Sequence, residues 1–344
     1  MGPDVAEASA AAACSPTRGP GGAPPACWRP YGPDSPFNAR LPQRPRLLSG
    51  SDAVARQLAD WGPAQSLVLG ATDTEEDYWH PVYYAGRRSP VFKIRCVLWR
   101  PCPVEGHRVR IPDGARPAAG DDAHLAVVNH RSGWEYDFWQ VRDKPSGGGR
   151  LVVGYGGRTR IQGSGLGASA TAAGFGLLAG IVRPPEMVSG RIRHALFITV
   201  RCSNGHSVYP ARRGSTGSPC RQFGRGGDSA PPLGARLWLS LSERRITQLG
   251  VPRWKRALLL ALHRYGGFVG DTMNGHSSFG VSFESGASFT SFGLPDPWIG
   301  FGRSAGGIES DGSYVLDLNS GVDWGQFLRV VHPCVSRGSC RRGG

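Results

Sequence analysis

Short runs in which apolar and polar residues alternate follow one another along most of the chain after residue 60. They are rich in β-branched and aromatic residues, and Gly, Pro and Asp separate them, which is typical of strands joined by turns. The runs are HPVYYAG, VFKIRCVLW, HRVRIP, AHLAVVN, WEYDFWQV, RLVVGYGG, HALFITVRC, ARLWLSLS, FVGDT, GVSFES and YVLDL. The pattern predicts an all-β fold, either a β-sandwich or a jelly roll.

Three segments have apolar residues at helical spacing and interrupt this pattern. SGSDAVARQLADWGP has a capping residue before the apolar positions and a Gly-Pro stop, and it predicts one surface helix. SATAAGFGLLAGIV and VPRWKRALLLALHRYGG predict two more. The last has an apolar face of Leu258, Leu259, Leu262 and Tyr265 and ends at a Gly pair. We therefore expect two or three helices inserted into the β fold.

The chain divides into a Pro- and Gly-rich start and one long globular part. Residues 1–36 contain too much Pro, Gly and Ala to bury a core and predict a disordered leader or arm. Residues 37–344 predict a single β-sandwich domain. The first residues lack the basic and apolar regions of an intact signal peptide, and we interpret them as the remnant of one whose start lies upstream.

The net charge is strongly basic, formally +14, and lysine occurs only at Lys93, Lys144 and Lys255. Such a charge favours an acidic partner, because it raises the encounter rate with polyanions. The arginines are scattered without a basic helix, which argues against nucleic acid and for an anionic polysaccharide. No apolar stretch has the length of a membrane span.

Eight cysteines fall into four pairs of neighbours along the sequence and have no zinc-binding spacing. They predict disulfides and therefore secretion into an oxidising compartment, although eight cysteines allow 105 connectivities. The neighbours are Cys14 and Cys27, Cys96 and Cys102, Cys202 and Cys220, and Cys334 and Cys340.

The strand WEYDFWQV is the centre of the candidate chemistry. Alternate residues of a strand share a face, so two acids and an indole lie on one side and three aromatics on the other. The two sets are Glu135, Asp137 and Trp139, and Trp134, Tyr136 and Phe138. A turn at Arg131–Gly133 predicts a hairpin that brings Asp122 and His124 near the acids.

Paired carboxylates beside an indole suit glycosidic chemistry, in which one acid protonates the leaving oxygen and the other is nucleophile or base. Glu135 and Asp137 would carry the reaction, with Asp122 and His124 orienting them and Trp139 stacking on a sugar. The hypothesis is a glycoside hydrolase that acts on a polysaccharide. An enzyme would hold the acids at the floor of a cleft, whereas a non-catalytic carbohydrate-binding module would present a flat aromatic surface.

EYDFWQ resembles the E-x-D-x-x-E strand of laminarinase-like glycoside hydrolases. The resemblance implies that Glu135 is the nucleophile and Asp137 its helper. The third acid of that motif is replaced here by Gln140, which cannot transfer a proton. Another acid would then serve, with Asp122, Asp271 or Glu284 as candidates.

A wider resemblance covers most of residues 60–300. The order HPVYYA, DAHLAVV, EYDFWQ, TAAGFGLLAGIVRPPE, GRIRHALFITV and HRYGGFVGDT is similar to secreted bacterial β-sandwich proteins associated with carbohydrate-active enzymes. This resemblance implies the fold and the extracellular location rather than a reaction.

A polysaccharide lyase acting on uronic acids is the second hypothesis. Such an enzyme needs a cation against the uronate carboxylate and a base at the C5 proton. Residues of both types are present in His124, His194, Tyr136, Arg158 and Arg193. No catalytic metal or cofactor is expected. Asp122, His124 and Asp137 could hold calcium or zinc, and a structural calcium ion is the favoured occupant of such a site.

Overall fold

The computed structural model describes residues 28–61, 67–167, 169–224, 227, 229–274 and 279–340. The strands are β1 Leu67–Leu69, β2 Val82–Tyr84, β3 Val91–Cys96, β4 Arg108–Arg110, β5 Leu125–Asn129, β6 Trp134–Asp143, β7 Gly149–Arg160, β8 Leu196–Val200, β9 Arg236–Leu239, β10 Gly267–Thr272, β11 Phe279–Val281, β12 Ile308–Ser310, β13 Ser313–Leu316 and β14 Leu328–Val331. The helices are Ser51–Asp60, Pro184–Ser189, Glu243–Gln248, Arg253–Arg264, Ala287–Thr290, Pro297–Ser304, Trp324–Phe327 and Pro333–Arg337. The chain is rich in β-strands, as predicted, but it is mostly-β rather than all-β, because it has more helices than the two or three expected.

The strands form three sheets. The largest has six strands in the order β2-β5-β6-β7-β3-β4, the second has five in the order β11-β8-β10-β9-β14, and the third is β1-β13-β12. The pairs β2–β5, β3–β7 and β8–β10 are parallel. Jelly rolls are antiparallel architectures, so the finer prediction of a sandwich or jelly roll is not confirmed.

The hairpin β5–β6 lies at the centre of the six-stranded sheet and is closed by the predicted turn, with Gly133 at φ 72°. One side of this sheet packs against the main core through Ala126 and Val128. The other side packs against a second core through Tyr136 and Phe138. In register, Glu135 is opposite Val128 and Asp137 is opposite Ala126, so the two acids are on the main-core side.

Two of the three predicted helices are confirmed. The helix Ser51–Asp60 buries Val54 and Leu58, and the helix Arg253–Arg264 buries its leucine face against the main core. No helix in the part of the chain that the structure describes is long and apolar enough to cross a membrane.

The prediction of a helix in SATAAGFGLLAGIV, residues 169–182, is wrong. This segment is a series of turns and bridges that lies over β6. Gly174 and Gly180 have φ angles of 77° and 78°, which an α-helix does not tolerate. At Gly180 a Cβ would come within 2.6 Å of the Phe197 backbone nitrogen, so close approach to β8 requires glycine there. The apolar residues that suggested a helix are instead buried individually by tertiary packing.

Most of the predicted arm, residues 1–27, lies outside the described residues, but its last part is packed against the sheet. The amide of Tyr31 donates to the Ile161 carbonyl (2.6 Å), and that of Gly32 donates to the Gly163 carbonyl (2.8 Å). The Asn38 side-chain amide donates to the carbonyls of Pro30, Tyr31 and Gly32. Tyr31 is only 6% exposed, so residues 28–36 belong to the folded body.

Three of the four neighbouring cysteine pairs form disulfides: Cys96–Cys102, Cys202–Cys220 and Cys334–Cys340. Cys14 and Cys27 lie outside the described residues. Disulfides of this kind are typical of proteins in an oxidising, extracellular environment.

Removing Cys202–Cys220 should destabilise the protein more than removing Cys334–Cys340, because the first closes a longer loop, 18 residues against 6. The loop-entropy argument gives losses of about 3 and about 2 kcal/mol. Urea unfolding of the two double Cys→Ala variants measures both. Equal losses would show that loop length does not set the contribution of these bonds.

Candidate functional site

Glu135 and Asp137, the predicted catalytic acids, are buried completely. Each is 0% exposed, because the face of β6 that was expected to line a cleft is covered by residues 169–178 and by the segment around Tyr31. The acids therefore lie between the six-stranded sheet and the main core. The prediction that both share one face is confirmed, and the expectation that this face is open to solvent is wrong.

Glu135 receives hydrogen bonds from two distant parts of the chain. The Tyr31 hydroxyl donates to Oε2 (2.7 Å), and the Leu178 amide donates to Oε1 (3.0 Å). Gly176 makes this approach feasible, since a Cβ there would collide with the Tyr31 hydroxyl and lie 2.9 Å from Oε1. The arrangement is that of an ionised carboxylate with preorganised donors.

Asp137 has a different environment from Glu135. Its Oδ2 accepts a hydrogen bond from the Ser169 hydroxyl (3.0 Å), while Oδ1 receives none from any N–H or O–H donor among the described residues. Burial and the charge of the neighbouring Glu135 carboxyl group raise the pKa of Asp137, while the Leu177 backbone lowers it. Two neighbouring carboxyl groups in an apolar interior favour a state in which one of them is protonated. We infer that the proton is on Asp137, because Glu135 already accepts from other donors.

The directions in which the pKa values of Glu135 and Asp137 are shifted agree with a proton on Asp137. Burial raises the pKa of Asp137 well above its usual range, and the negative charge of Glu135 raises it further. Burial also raises the pKa of Glu135, against which the hydrogen bonds from Asp137 and from the backbone act. Burial and the charge of Glu135 raise the pKa of the Tyr31 phenol, so this group stays a donor. Of the two acids, Asp137 is therefore the one that holds a proton more strongly.

Two histidines extend the buried polar region. His80 Nδ1 is hydrogen-bonded to the Leu177 carbonyl (2.7 Å), and its ring meets the His124 ring edge-on at 4.9 Å. Burial lowers the pKa of His80 to about 3 and that of His124 to about 4. Both imidazoles are therefore neutral at physiological pH. His124, predicted to orient the acids, is 5% exposed, and its Nδ1 has no hydrogen-bond partner among the described residues.

The remaining two predicted residues of the site lie together at the surface. Asp122 precedes β5 rather than lying within it, and its Oδ1 accepts a hydrogen bond from Trp139 Nε1 (2.7 Å). Trp139 stacks on Trp99, with ring centroids 4.4 Å apart and planes at 10°. Trp99 is 57% exposed. We call Trp99, Trp139 and Asp122 the indole platform.

The predicted binding residues are not gathered around this platform. Tyr136 is 8% exposed and belongs to the second core. His194 is buried, with Nε2 3.1 Å from Glu186 Oε1, in an ion-pair cluster that also holds Arg183. Arg193 is exposed, and its carbonyl accepts from Arg29 (2.9 Å).

The other three predicted residues are equally dispersed. Arg158 places its guanidinium 4.2 Å from the Trp134 ring centroid. Asp271 accepts from the amides of Ala172 and Thr272, and burial raises its pKa to about 6. Glu284 is 5% exposed, and burial raises its pKa to about 7. These side chains do not form one cleft with Glu135 and Asp137.

Neither of two surface cavities in the described structure, of about 340 and 280 Å³, is lined by the acid pair. The larger is lined by Asp113, Ala115, Arg116, Pro117, Val141, Arg142, Asp143, Lys144 and Ser146. Among the described residues no three His, Cys, Asp or Glu side chains are arranged to hold a metal ion. Asp122, His124 and Asp137 therefore do not form the calcium site that the sequence suggested.

Four residues of these clusters carried no functional expectation from the sequence: Tyr31, His80, Trp99 and Ser169. Tyr31 fell in the predicted arm and Ser169 in the predicted helix. The sequence could have indicated Trp99, because VLW continues an alternating strand with apolar residues shortly before a Pro and a cysteine. Exposed indoles are uncommon without a ligand.

Comparisons with protein-family models, with curated proteins and with solved structures find no match to this chain.

Asp137→Asn should change how stability depends on pH. A carboxyl whose pKa is raised in the folded state contributes stability fully below its unfolded pKa, about 4, and loses it as pH rises towards the folded value. The variant should therefore gain about 1.4 kcal/mol relative to the wild type for each pH unit above about 4, until that value is reached. Urea unfolding at pH 5, 6 and 7 measures this. The exposed Asp311→Asn is the control, and parallel curves for wild type and Asp137→Asn would show that Asp137 is ionised.

Glu135→Gln should be more harmful than Asp137→Asn at pH 7. The side-chain amide introduced at position 135 would point a donor at the Tyr31 hydroxyl or at the Leu178 amide, which leaves a buried donor unsatisfied at a loss of about 1–3 kcal/mol. An amide at position 137 can donate to Glu135 as the protonated acid does. Thermal and urea unfolding of both variants compare them, and the reverse order would place the proton on Glu135.

Proposed function

We propose that this protein binds polysaccharide at the indole platform, outside the cell, and does not cleave it at the acid pair. The observation that carries the proposal is Trp99, an indole that is 57% exposed yet fixed by stacking on Trp139. The face of an indole is large, flat and apolar with a negative quadrupole, which suits the CH face of a sugar ring.

The platform is held rigidly. Trp99 lies in the loop closed by the disulfide Cys96–Cys102. Its ring centroid is 5.8 Å from that of Tyr155. The loop also pairs with β7, since the Val97 amide donates to the Val153 carbonyl (2.9 Å). A preorganised platform binds with less loss of side-chain entropy.

Polar groups that suit sugar hydroxyls lie beside the indoles. Asp122 is part of the platform, and the exposed Asp121 directly precedes it. An Arg212 Nη atom lies 3.5 Å from the Tyr155 hydroxyl. Hydroxyl groups are both donors and acceptors, so carboxylates and guanidinium groups together can fix a ring on an aromatic face.

Burial of the acid pair is the reason for preferring binding to hydrolysis. A glycosidase needs a water molecule and a glycosidic oxygen between its two carboxyl groups, whereas Glu135 and Asp137 are 0% exposed and accept hydrogen bonds from Tyr31, Leu178 and Ser169. The lyase hypothesis meets the same difficulty, because Tyr136, His124 and His194 are buried. These groups fit a structural role. The predicted sandwich architecture and secretion remain part of the proposal, supported by the β-rich chain and its three disulfides.

Trp99→Ala should weaken binding to a polysaccharide about 30-fold, since removal of a central indole from a binding surface removes about 2 kcal/mol. Affinity electrophoresis against neutral and anionic polymers, followed by calorimetry on the polymer that retards the protein, measures this. The control is Ile308→Ala, which removes an apolar side chain that is 75% exposed on β12. Equal affinity of wild type and Trp99→Ala would refute the platform.

The same samples distinguish binding from cleavage. Reducing ends and absorbance near 235 nm should stay constant during incubation with every bound polymer. New reducing ends that disappear in Asp137→Asn would instead establish hydrolysis at the acid pair, and a rise of both signals would establish a lyase.

A further inference from the structure

Three basic residues form a row across neighbouring strands of the six-stranded sheet. Lys93 on β3 is opposite Arg108 on β4 and also opposite Arg150 on β7. All three side chains are exposed. Directly opposite residues on neighbouring strands have Cβ atoms about 5 Å apart, so three positive charges repeat at the spacing of the strands. We call these residues the basic row.

The charges of the basic row have no ion-pair partner in the described ranges, because no carboxylate oxygen there lies within 4 Å of the charged nitrogens of Lys93, Arg108 or Arg150. Two acids lie on or near this face. Glu105 pairs with Arg95 and Arg100, each at 3.6 Å, and the exposed Asp143 is opposite Val152, two residues along β7 from Arg150. Like charges directly opposite each other destabilise a sheet. A folded protein that keeps such a row has it compensated by a bound anion or by solvent and salt.

The basic row and the indole platform are joined by one continuous stretch of chain. Lys93, Arg95 and Val97 are exposed at alternating positions, and alternate positions of a strand point to one side. The Leu98 amide continues the pairing with β7 by donating to the Gly154 carbonyl (3.0 Å). Trp99 follows, six residues after Lys93, which is at most about 20 Å of extended chain.

We propose that the basic row binds the carboxylates of a linear anionic polysaccharide whose neighbouring sugar stacks on Trp99. This proposal rests on the proposed function of the platform and specifies its ligand as a polymer with an acidic group on successive sugars. Guanidinium groups bind carboxylates in a bidentate manner, and the lysine adds a point charge between them. A polysaccharide is favoured over nucleic acid because the arginines of this chain are scattered along the sequence without a basic helix.

The experiment compares polygalacturonate with its fully methyl-esterified form, which has the same backbone without the charges. Calorimetry measures both with the full-length wild type, with Trp99→Ala, and with a triple variant, Lys93→Gln, Arg108→Gln and Arg150→Gln. A second triple variant, Arg56→Gln, Arg191→Gln and Arg244→Gln, removes the same charge from exposed positions outside the six-stranded sheet. Circular dichroism and urea unfolding check that each variant folds.

The basic-row variant should lose at least tenfold in affinity for polygalacturonate, keep its affinity for the ester, and show a weaker salt dependence. The control triple variant should lose less than twofold. Trp99→Ala should lose affinity for both polymers. Unchanged affinity of the basic-row variant for polygalacturonate overturns the inference and leaves the platform intact.

Two other outcomes also overturn the inference and separate it from the proposed function. Equal losses in the two triple variants would mean that net charge alone attracts the polymer. Single-stranded DNA of matched charge that binds as tightly as polygalacturonate would identify a nucleic-acid surface. Unchanged binding of both polymers by Trp99→Ala would refute the proposed function, whatever the basic row does.

Discussion

The Glu135–Asp137 pair imposes the constraint on which the arrangement of this fold depends. Two carboxyl groups on one face of a central strand, each 0% exposed, cannot both be ionised in an apolar interior. Sharing a proton reduces the charge to one, and that charge needs donors. They come from the Tyr31 hydroxyl and from the turn at Leu178. The pair therefore couples a segment before the first helix, the central sheet and the segment over it.

This coupling explains why a glycine-rich segment covers the sheet where a helix was expected. A helix satisfies its own amides and has few to offer a neighbouring carboxylate. An irregular chain leaves amides free, and Gly176 allows it to approach both Glu135 and Tyr31. A buried charge with its donors rarely contributes more to the free energy of unfolding than apolar packing would. Removing one partner, however, destabilises the protein strongly. The pair thus specifies how these segments dock more than it adds to the free energy of unfolding.

The sequence predicted what depends on neighbours along the chain and missed what depends on distant ones. Alternation in WEYDFWQV placed Glu135 and Asp137 on one face, and the turn before it placed the hairpin correctly. What lies above that face follows from Tyr31, 104 residues away, and no periodicity encodes such a contact. The helix prediction at residues 169–182 failed because the apolar spacing arises from packing, while the positive φ angle of Gly174 excludes a helix.

Because the acid pair is closed off from solvent, the groups that could bind a ligand lie on the outside of the sheet. The two acids are buried and accept hydrogen bonds from Tyr31, Ser169 and the backbone. The surface side chains that could bind a ligand are aromatic and basic. They lie along β3 and the loop that follows it, where Lys93 and Trp99 are exposed. An exposed indole and a row of positive charges without ion-pair partners in the described ranges each lower the stability or solubility of the free protein. A single extended anionic ligand would cover both, so one ligand accounts for two features that folding alone does not require.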